Sequence, residues 1–207
     1  MDNKKFNSST YLGLISEISD KFRNSKEYEK AIEILLKCLK DKGTVFTMGC
    51  GGSASTATHF TADLAKTTIT NTGDPKRFKT MALVDNIPLV SAWINDFGWN
   101  SIFAEQLRPW LNAKDVIIGF SVHGGSGEMD AGPWSQNLIS AMKLANDIGA
   151  KIIGFSGFNG GAMKKMADVC LVVPITDEIY GTAVVEAMHV VLHHGLIFDI
   201  KERMKNA

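Results

Sequence analysis

The chain has 207 residues, of which 45% are hydrophobic and 21% are charged, and its 22 basic residues balance its 22 acidic residues. This length allows one α/β domain with a substantial core. A formal charge of zero argues against an electrostatic nucleic-acid surface and against a polybasic membrane anchor. Three widely spaced cysteines favour a reducing compartment, and no apolar run approaches membrane-spanning length. We therefore expect a cytoplasmic protein that binds neither nucleic acid nor a membrane.

Hydrophobic periodicity predicts an alternation of helices and strands. Apolar residues recur at intervals of three and four from Tyr11 to Leu39, which predicts two helices, or one helix broken near Asn24 and Ser25. The following strands are predicted at 44–48, 81–84, 116–120, 151–155 and 169–173, and the helices at 56–67, 102–111, 135–148, 162–166 and from about residue 182. This alternation predicts an α/β fold with a parallel sheet covered by helices on both faces. We expect a single domain over residues 1–207, with N-terminal helices at about 10–40 and a core at about 44–200.

Two loops rich in glycine and serine follow predicted strands and precede predicted helices. The first is Gly49-Cys50-Gly51-Gly52-Ser53, and the second is Ser121-Val122-His123-Gly124-Gly125-Ser126-Gly127. Backbone N–H groups at a helix start and nearby hydroxyl groups can bind an anion. Neither loop carries the dinucleotide or the Walker fingerprint, and each loop alone fits a plain turn equally well. Together they favour a sugar phosphate at the C-terminal edge of the sheet.

The helix predicted after the first loop carries His59 and Asp63, which are separated by four residues. This spacing places both side chains on one helical face. They could share a metal ion or divide the acid and base work on one substrate. An exposed polar face without a function is the alternative.

The last predicted helix carries Glu186, His189, His193 and His194 within an apolar segment. A histidine that is buried in such a segment needs a polar partner. Spacing alone aligns Glu186 with His193 more closely than with His194, because seven residues make nearly two full turns. The alternative is that these histidines only pair inside a helical interface.

Six segments resemble, in the same order, the landmarks of the phosphoheptose isomerases, which belong to the sugar isomerase (SIS) domain family. They are Gly49-Cys50-Gly51-Gly52-Ser53-Ala54, His59-Phe60-x-x-Asp63-Leu64, Asn95-Asp96-Phe97-Gly98, Ser121-x-x-Gly124-Gly125-Ser126, Gly157-Phe158-Asn159-Gly160-Gly161 and the helix with Glu186 and His194. The resemblance runs from about residue 10 to about residue 200, with an insertion near 128–134.

The resemblance implies a five-stranded parallel sheet, a homotetramer with active sites at subunit interfaces, and aldose-ketose isomerisation through an enediol. It implies sedoheptulose 7-phosphate as substrate and D-glycero-D-manno-heptose 7-phosphate as product, for lipopolysaccharide or capsule heptose synthesis. Asp63 and His194 would be the catalytic acid and base. The ligands of Zn²⁺ or another divalent metal would be His59, Asp63, Glu186 and His194. The expected substrate-binding residues are Gly52, Ser53, Ser55, Asn95, Asp96, Ser121, His123 and Ser126.

The chain departs from the family pattern at several positions, including Val122 in place of a threonine in the second loop. Cys50 replaces an asparagine, Asp63 a longer glutamate, Thr67 an arginine and Glu186 a glutamine, while His123 stands where the family has a hydroxyl group. Protonation of His123 at neutral pH could compensate for the lost phosphate contacts. These departures keep two alternatives open. One is a SIS-type protein that binds or senses a sugar phosphate without catalysis, and the other is an isomerase of a different phosphosugar whose pocket is reshaped by the insertion.

Overall fold

A parallel five-stranded sheet forms the centre of the fold, as the sequence predicts. The computed structural model describes residues 7–125 and 134–205. The strands are β1 (Thr44–Gly49), β2 (Lys79–Ala82), β3 (Val116–Phe120), β4 (Lys151–Gly157) and β5 (Val169–Val173). Their order is β2-β1-β3-β4-β5, and every neighbouring pair is parallel. β1 leads to β2 on one side and the chain then returns to β3 on the other side, so β1 and β3 flank the point where the strand order reverses.

Helices cover both faces of this sheet. The eight α-helices of the described residues are α1 (Ser8–Lys21), α2 (Lys26–Lys40), α3 (Gly52–Lys66), α4 (Ile87–Phe97), α5 (Ala104–Leu107), α6 (Gln136–Ile148), α7 (Gly161–Met166) and α8 (Glu178–Lys205). The predicted break between the first two helices is confirmed. α2 begins there because the Ser25 side chain accepts a hydrogen bond from the Tyr28 N–H group, at 3.2 Å.

Two hydrophobic cores lie on opposite faces of the sheet, because successive strand residues point to opposite sides. Phe120 and Phe155 contribute to one core, together with apolar residues of α1, α2, α3 and α8. Phe46 and Ile117 contribute to the other core, which residues of α5, α6 and α7 complete. α3 and α8 therefore lie on the same side of the sheet, and they pack against each other.

The segment between β2 and β3 differs from the prediction. The predicted helix at 102–111 is only the short α5, and α4 was not predicted. The signals for α4 are nevertheless present, since the Asn86 side chain accepts a hydrogen bond from the Leu89 N–H group at 3.1 Å and Pro88 follows at the helix start. No residue of α4 is fully buried, and of its apolar side chains Trp93 is the one that packs, partly buried, against the second core.

The last helix is longer than predicted. α8 begins at Glu178 because the Asp177 carboxylate accepts hydrogen bonds from the N–H groups of Ile179, at 2.9 Å, and Tyr180, at 3.3 Å. The sequence led us to expect no segment of membrane-spanning length, but α8 has the length and the apolar composition of a membrane-spanning helix. Half of its most apolar stretch of 18 residues is buried inside the protein, as in the core helix of a folded domain.

Candidate active site

A small cavity lies where the strand order reverses, between the loops that follow β1 and β3. Gly49 and Phe120 are paired across these two strands, so both loops leave the sheet side by side. The cavity has a volume of about 140 Å³. Its lining residues are Cys50, Ser53, Phe120, Ser121, Val122, His123, Trp134 and Ser135. The two loops that the sequence singles out thus meet at the position where open α/β sheets bind ligands.

Hydroxyl groups from both loops face this cavity. Ser53 lies in the first turn of α3 and is buried, as is Ser121 after β3. Ser121 Oγ lies 3.3 Å from Ser135 Oγ, and the Gly125 N–H group donates to Ser121 Oγ at 3.3 Å. The N-terminal end of the α3 dipole adds partial positive charge at the same place. These groups can bind a phosphate.

His123 is held between two aromatic rings. Its ring stacks on Phe158 with centroids 4.7 Å apart, and its centroid is 5.1 Å from that of Trp134. Burial lowers the pKa of His123 below its ordinary value. The neutral imidazole is therefore favoured in the protein alone, which argues against the compensation by protonation that the sequence left possible.

Four of the expected substrate-binding residues within the described part of the chain do not line this cavity, namely Gly52, Ser55, Asn95 and Asp96. Ser126 lies outside the described residues, as does the insertion except for its last residue, Trp134. Asn95 and Asp96 are exposed on α4, where the Asn95 amide donates to the Asp96 carboxylate at 2.7 Å. Ser55 is exposed and borders a separate, more open concavity with His59.

A cluster of three imidazoles and one carboxylate lies between α3 and α8. It consists of His59, Asp63, His193 and His194, each of which offers one ligand atom within 4.8 Å of those of the others. Asp63 Oδ2 lies 3.4 Å from His59 Nε2 and 3.3 Å from His194 Nε2. The other carboxylate oxygen of Asp63 accepts a hydrogen bond from Thr67 Oγ1 at 3.2 Å. The pair that the sequence places on one helical face therefore meets two histidines of α8.

Three donor atoms of this cluster have the spacing of a tetrahedral metal site. His59 Nε2 and His194 Nε2 are 3.3 Å apart, which closes a nearly equilateral triangle with Asp63 Oδ2. Zinc–ligand bonds of about 2.0–2.1 Å require about 3.3–3.4 Å between ligands at the corners of a tetrahedron. Histidine nitrogen and carboxylate oxygen are also the atom types that zinc binds. His59, Asp63 and His194 thus fit a divalent metal without rearrangement.

Two further histidines of α8 are buried. His189 and His193 are both 0% exposed, and none of their ring nitrogens has a hydrogen-bond partner among the described residues. Burial, together with the smaller effects of the neighbouring imidazoles of His194, His59 and His189, lowers the pKa of His193 to about 3. Burial likewise lowers the pKa of His189 to about 4, against a weak opposing contact with the Ser156 backbone. Both rings are neutral at physiological pH.

Glu186, which the resemblance implies as a metal ligand, is not a member of the cluster. Its carboxylate lies against Gly52 at the start of α3, so closely that a methyl group on residue 52 would overlap Oε1. A carboxylate is stabilised at a helix N-terminus. The structure therefore brings together three of the four implied ligands and adds His193, which spacing alone had aligned with Glu186.

Sequence reasoning missed Trp134, Phe158 and Ser135 at the site. Trp134 and Phe158 are the two rings that enclose His123, and Ser135 is the hydroxyl partner of Ser121. The insertion and the Gly157-Phe158 segment were noted, but neither carries a pattern that aims its side chains at the second loop. Only the folded chain brings them there.

The chain matches the SIS domain family over residues 10–157. It is 44% identical over 154 residues to the lincomycin biosynthesis protein LmbN of Streptomyces lincolnensis. This match covers 74% of this chain but only 54% of that relative. It is 35% identical over 173 residues to phosphoheptose isomerase 1 of Campylobacter jejuni, with 84% of both chains covered. The chain thus spans about half the length of the first relative and most of the second.

A solved structure with the same fold is that of the phosphoheptose isomerase GmhA from Neisseria gonorrhoeae. It has a TM-score of 0.78 with this chain at 27% sequence identity, and 94% of each chain is covered. A phosphoheptose isomerase from Francisella tularensis gives a TM-score of 0.76 at 25% identity, again with 94% of each chain covered. The sheet order and the helical layers are therefore those of this fold.

Proposed function

Because the chain belongs to the SIS domain family, we propose that it interconverts the aldose and ketose forms of a phosphorylated sugar. One observation carries this proposal: the Asp63 carboxylate lies 3.3 Å from His194 Nε2. Asp63 is on α3, and the first turn of α3 lines the anion cavity. Asp63 follows Ser53 by ten residues, so the two lie about 15 Å apart along the axis of α3. Side chains of α3 point back toward its start and shorten this gap. A phosphate near Ser53 would leave the reacting end of an extended sugar facing the cluster.

The isomerisation moves one proton between neighbouring carbons. A base removes the proton next to the carbonyl group, an enediol forms, and an acid returns a proton to the adjacent carbon, so that no oxidant or reductant is consumed. Asp63 and His194 are the proposed acid and base. Thr67 holds the Asp63 carboxylate through its hydrogen bond to Oδ1. Which of the two removes the first proton is a question for pH-rate profiles of the two variants.

A divalent metal, with zinc as the first candidate, is the proposed cofactor. His59, Asp63 and His194 would hold it, and it would stabilise negative charge on the substrate oxygens. The two roles would use different atoms of each residue: Asp63 would bind the metal through Oδ2, which faces the histidines, and exchange a proton through Oδ1, while His194 would bind it through Nε2 and exchange a proton through Nδ1.

The proposed assembly is a homotetramer with active sites at subunit interfaces. α4 supports it, because Ile87 and Phe97 are 66% and 71% exposed at its two ends. Exposed apolar side chains on one surface favour a protein contact. Asn95 and Asp96 lie on the same helix, so a second copy of the chain could bring them to a substrate that they do not reach within one protomer.

The proposed substrate is sedoheptulose 7-phosphate, and the proposed product is D-glycero-D-manno-heptose 7-phosphate. The phosphoheptose isomerases among the relatives support this choice. The relative with 44% identity bears a different name, so a second phosphosugar is a real competitor. A cytoplasmic enzyme of heptose synthesis for surface polysaccharide is the corresponding proposal for its place in the cell.

The direct test incubates the purified protein with pentose, hexose and heptose phosphates and measures the aldose and ketose forms of each. We expect turnover of sedoheptulose 7-phosphate, loss of turnover in His194→Ala, and loss on treatment with a chelator. Binding of a phosphosugar without conversion of any would overturn the isomerase proposal and support the non-catalytic alternative. Turnover of a different phosphosugar would overturn only the choice of substrate.

A further inference from the structure

We propose that His193 supplies the fourth protein donor to the metal held by His59, Asp63 and His194. This inference rests on the proposed function and names the complete ligand set of that site. The set then contains three imidazoles and one carboxylate, and Glu186 remains outside it.

The first observation is that His193 is buried without a polar partner. It is 0% exposed, and neither ring nitrogen has a hydrogen-bond partner among the described residues. A buried polar group without a partner costs about 1–3 kcal/mol. Its environment supplies no compensation, because the ring meets Phe60 edge-on at a centroid distance of 5.6 Å. An apolar side chain would fill the same space without this cost, so the imidazole requires another explanation.

The second observation is the position of the ring relative to the other donors. His193 Nδ1 lies 4.0 Å from Asp63 Oδ2, about 0.7 Å more than the ligand spacing of a tetrahedral zinc site, so its ring would shift slightly toward a bound metal. One donor atom of each of the four residues already falls within 4.8 Å of the rest. The ring centroids of His193 and His194 are 4.2 Å apart. His193 approaches from the buried side, whereas His59 and His194 are partly exposed. The open side of the metal therefore remains available to a substrate.

Glu186 is less well placed for this role. Its carboxylate lies against Gly52, which precedes His59 by seven residues of α3, or about 10 Å along the helix axis. A carboxylate in place of His193 would also give the set a second negative charge. Three neutral imidazoles favour zinc, cobalt or nickel, whereas a set richer in oxygen favours magnesium or manganese. His193 therefore predicts a nitrogen-rich site that selects among divalent metals.

The test measures metal binding and not turnover. Metal-free protein is titrated with Zn²⁺ against a chromophoric chelator, and the Co²⁺ form is examined by its visible absorption spectrum. We expect His193→Leu to weaken zinc binding at least 30-fold and to change the cobalt spectrum. The matched comparison, Glu186→Leu on the same helix, removes the rival donor completely and should stay within threefold of the wild type. With chelator present, His193→Leu should unfold at a temperature no lower than the wild type, because no hydrogen bond is lost; His193→Phe repeats the test if the leucine variant does not fold.

Zinc affinity within threefold of the wild type in a folded His193 variant would overturn the inference. The same holds if only Glu186→Leu weakens binding. This test and the test of the proposed function can fail independently of each other. If zinc binds as described but no phosphosugar turns over, the isomerase proposal fails and the ligand set stands. If the metal-free protein isomerises a phosphosugar and binds no zinc, this inference fails and the isomerase stands.

Discussion

Asp63 on α3 and His194 on α8 share one contact, 3.3 Å between the carboxylate Oδ2 and the imidazole Nε2. The contact joins α3, which begins at the anion cavity, to α8, the long helix near the C-terminus. Because Asp63 is shorter than the glutamate implied by the resemblance, its reach depends on how closely α3 and α8 pack. The reacting groups are therefore positioned by helix packing as much as by sequence spacing.

Replacement of the carboxylate at this contact gives the first prediction. Asp63→Asn keeps the shape of the side chain but removes its charge and its basicity, so we expect kcat to fall by about 10²–10⁴-fold. Binding of a phosphosugar should persist, because the cavity residues are untouched. Thr67→Val is the matched control, since it removes only the 3.2 Å hydrogen bond to Oδ1, and we expect a loss of about tenfold or less. Single-turnover kinetics with binding measured by calorimetry separate the two effects, and equal losses in both variants would argue against a proton-transfer role.

The cavity hydroxyl groups give the second prediction. Ser53→Ala and Ser121→Ala each remove one donor to a bound phosphate, and a hydrogen bond to a charged group contributes about 1.5–3 kcal/mol. We therefore expect KM to rise by roughly 10- to 100-fold in each variant. Ser55→Ala, two residues further along α3 and outside the cavity, is the control and should leave KM within about twofold. An unchanged KM in both cavity variants would place the phosphate elsewhere.

Two glycines of the site give the third prediction because a methyl group meets different obstacles at each. At Gly124 the backbone angle φ is +68°, and a methyl group would overlap the carbonyl oxygen of Gly160. Neither the strain nor the clash can relax without moving backbone, so we expect Gly124→Ala to lower the free energy of unfolding by about 2–4 kcal/mol. At Gly52 the obstacle is only the end of the Glu186 side chain, which can rotate away. Gly52→Ala should change stability by less than about 1 kcal/mol. Urea unfolding of both variants checks this ranking, and a reversed order would show that Glu186 is fixed in place.

Much of the fold could be predicted from the sequence where a single physical signal dominated. The apolar run at β5 lies between polar residues and was predicted with its observed ends, Val169–Val173. α4 was missed because its apolar residues face outward, so its pattern did not indicate a core face despite the Asn86 cap. A local pattern of apolar residues predicts a helix best when one of its faces packs against a core. It does not identify a helix whose apolar residues are left exposed.

The candidate site was predictable only in part for a similar reason. The four-residue spacing of His59 and Asp63 fixes their common face, and the resemblance adds His194. The position of Glu186 against Gly52 depends on how α3 and α8 pack side by side, which neither spacing nor resemblance specifies. The packing of α3 against α8 also decides that His193 faces the cluster. The seven-residue spacing put His193 on the same helical face as Glu186, but it could not show what that face contacts.

The last prediction concerns pH and the buried imidazole of His189. Its ring packs against Phe120 and Phe155, with centroid distances of 6.0 Å and 5.8 Å, and the polar groups that act on it are the Ser156 backbone and the imidazole of His193. Its pKa of about 4 in the folded protein lies below the ordinary value of 6.5. At a pH between these two pKa values, residue 189 is protonated in the unfolded chain but neutral in the folded protein. The free energy of unfolding therefore rises with pH across this window, and the contribution is complete above the unfolded pKa.

We expect this contribution to be lost as the pH falls from 6.5 toward 4. From pH 7.5 to pH 5 the wild type should lose about 2 kcal/mol more unfolding free energy than His189→Met, in which residue 189 cannot be protonated. Urea titrations at both pH values with chelator present provide the measurement, and the chelator keeps metal binding from adding its own pH dependence. His193 is retained in both proteins, so its own titration largely cancels in the difference. Identical pH dependence in the two proteins would mean that the His189 ring is solvated, or takes up its proton, in the folded state.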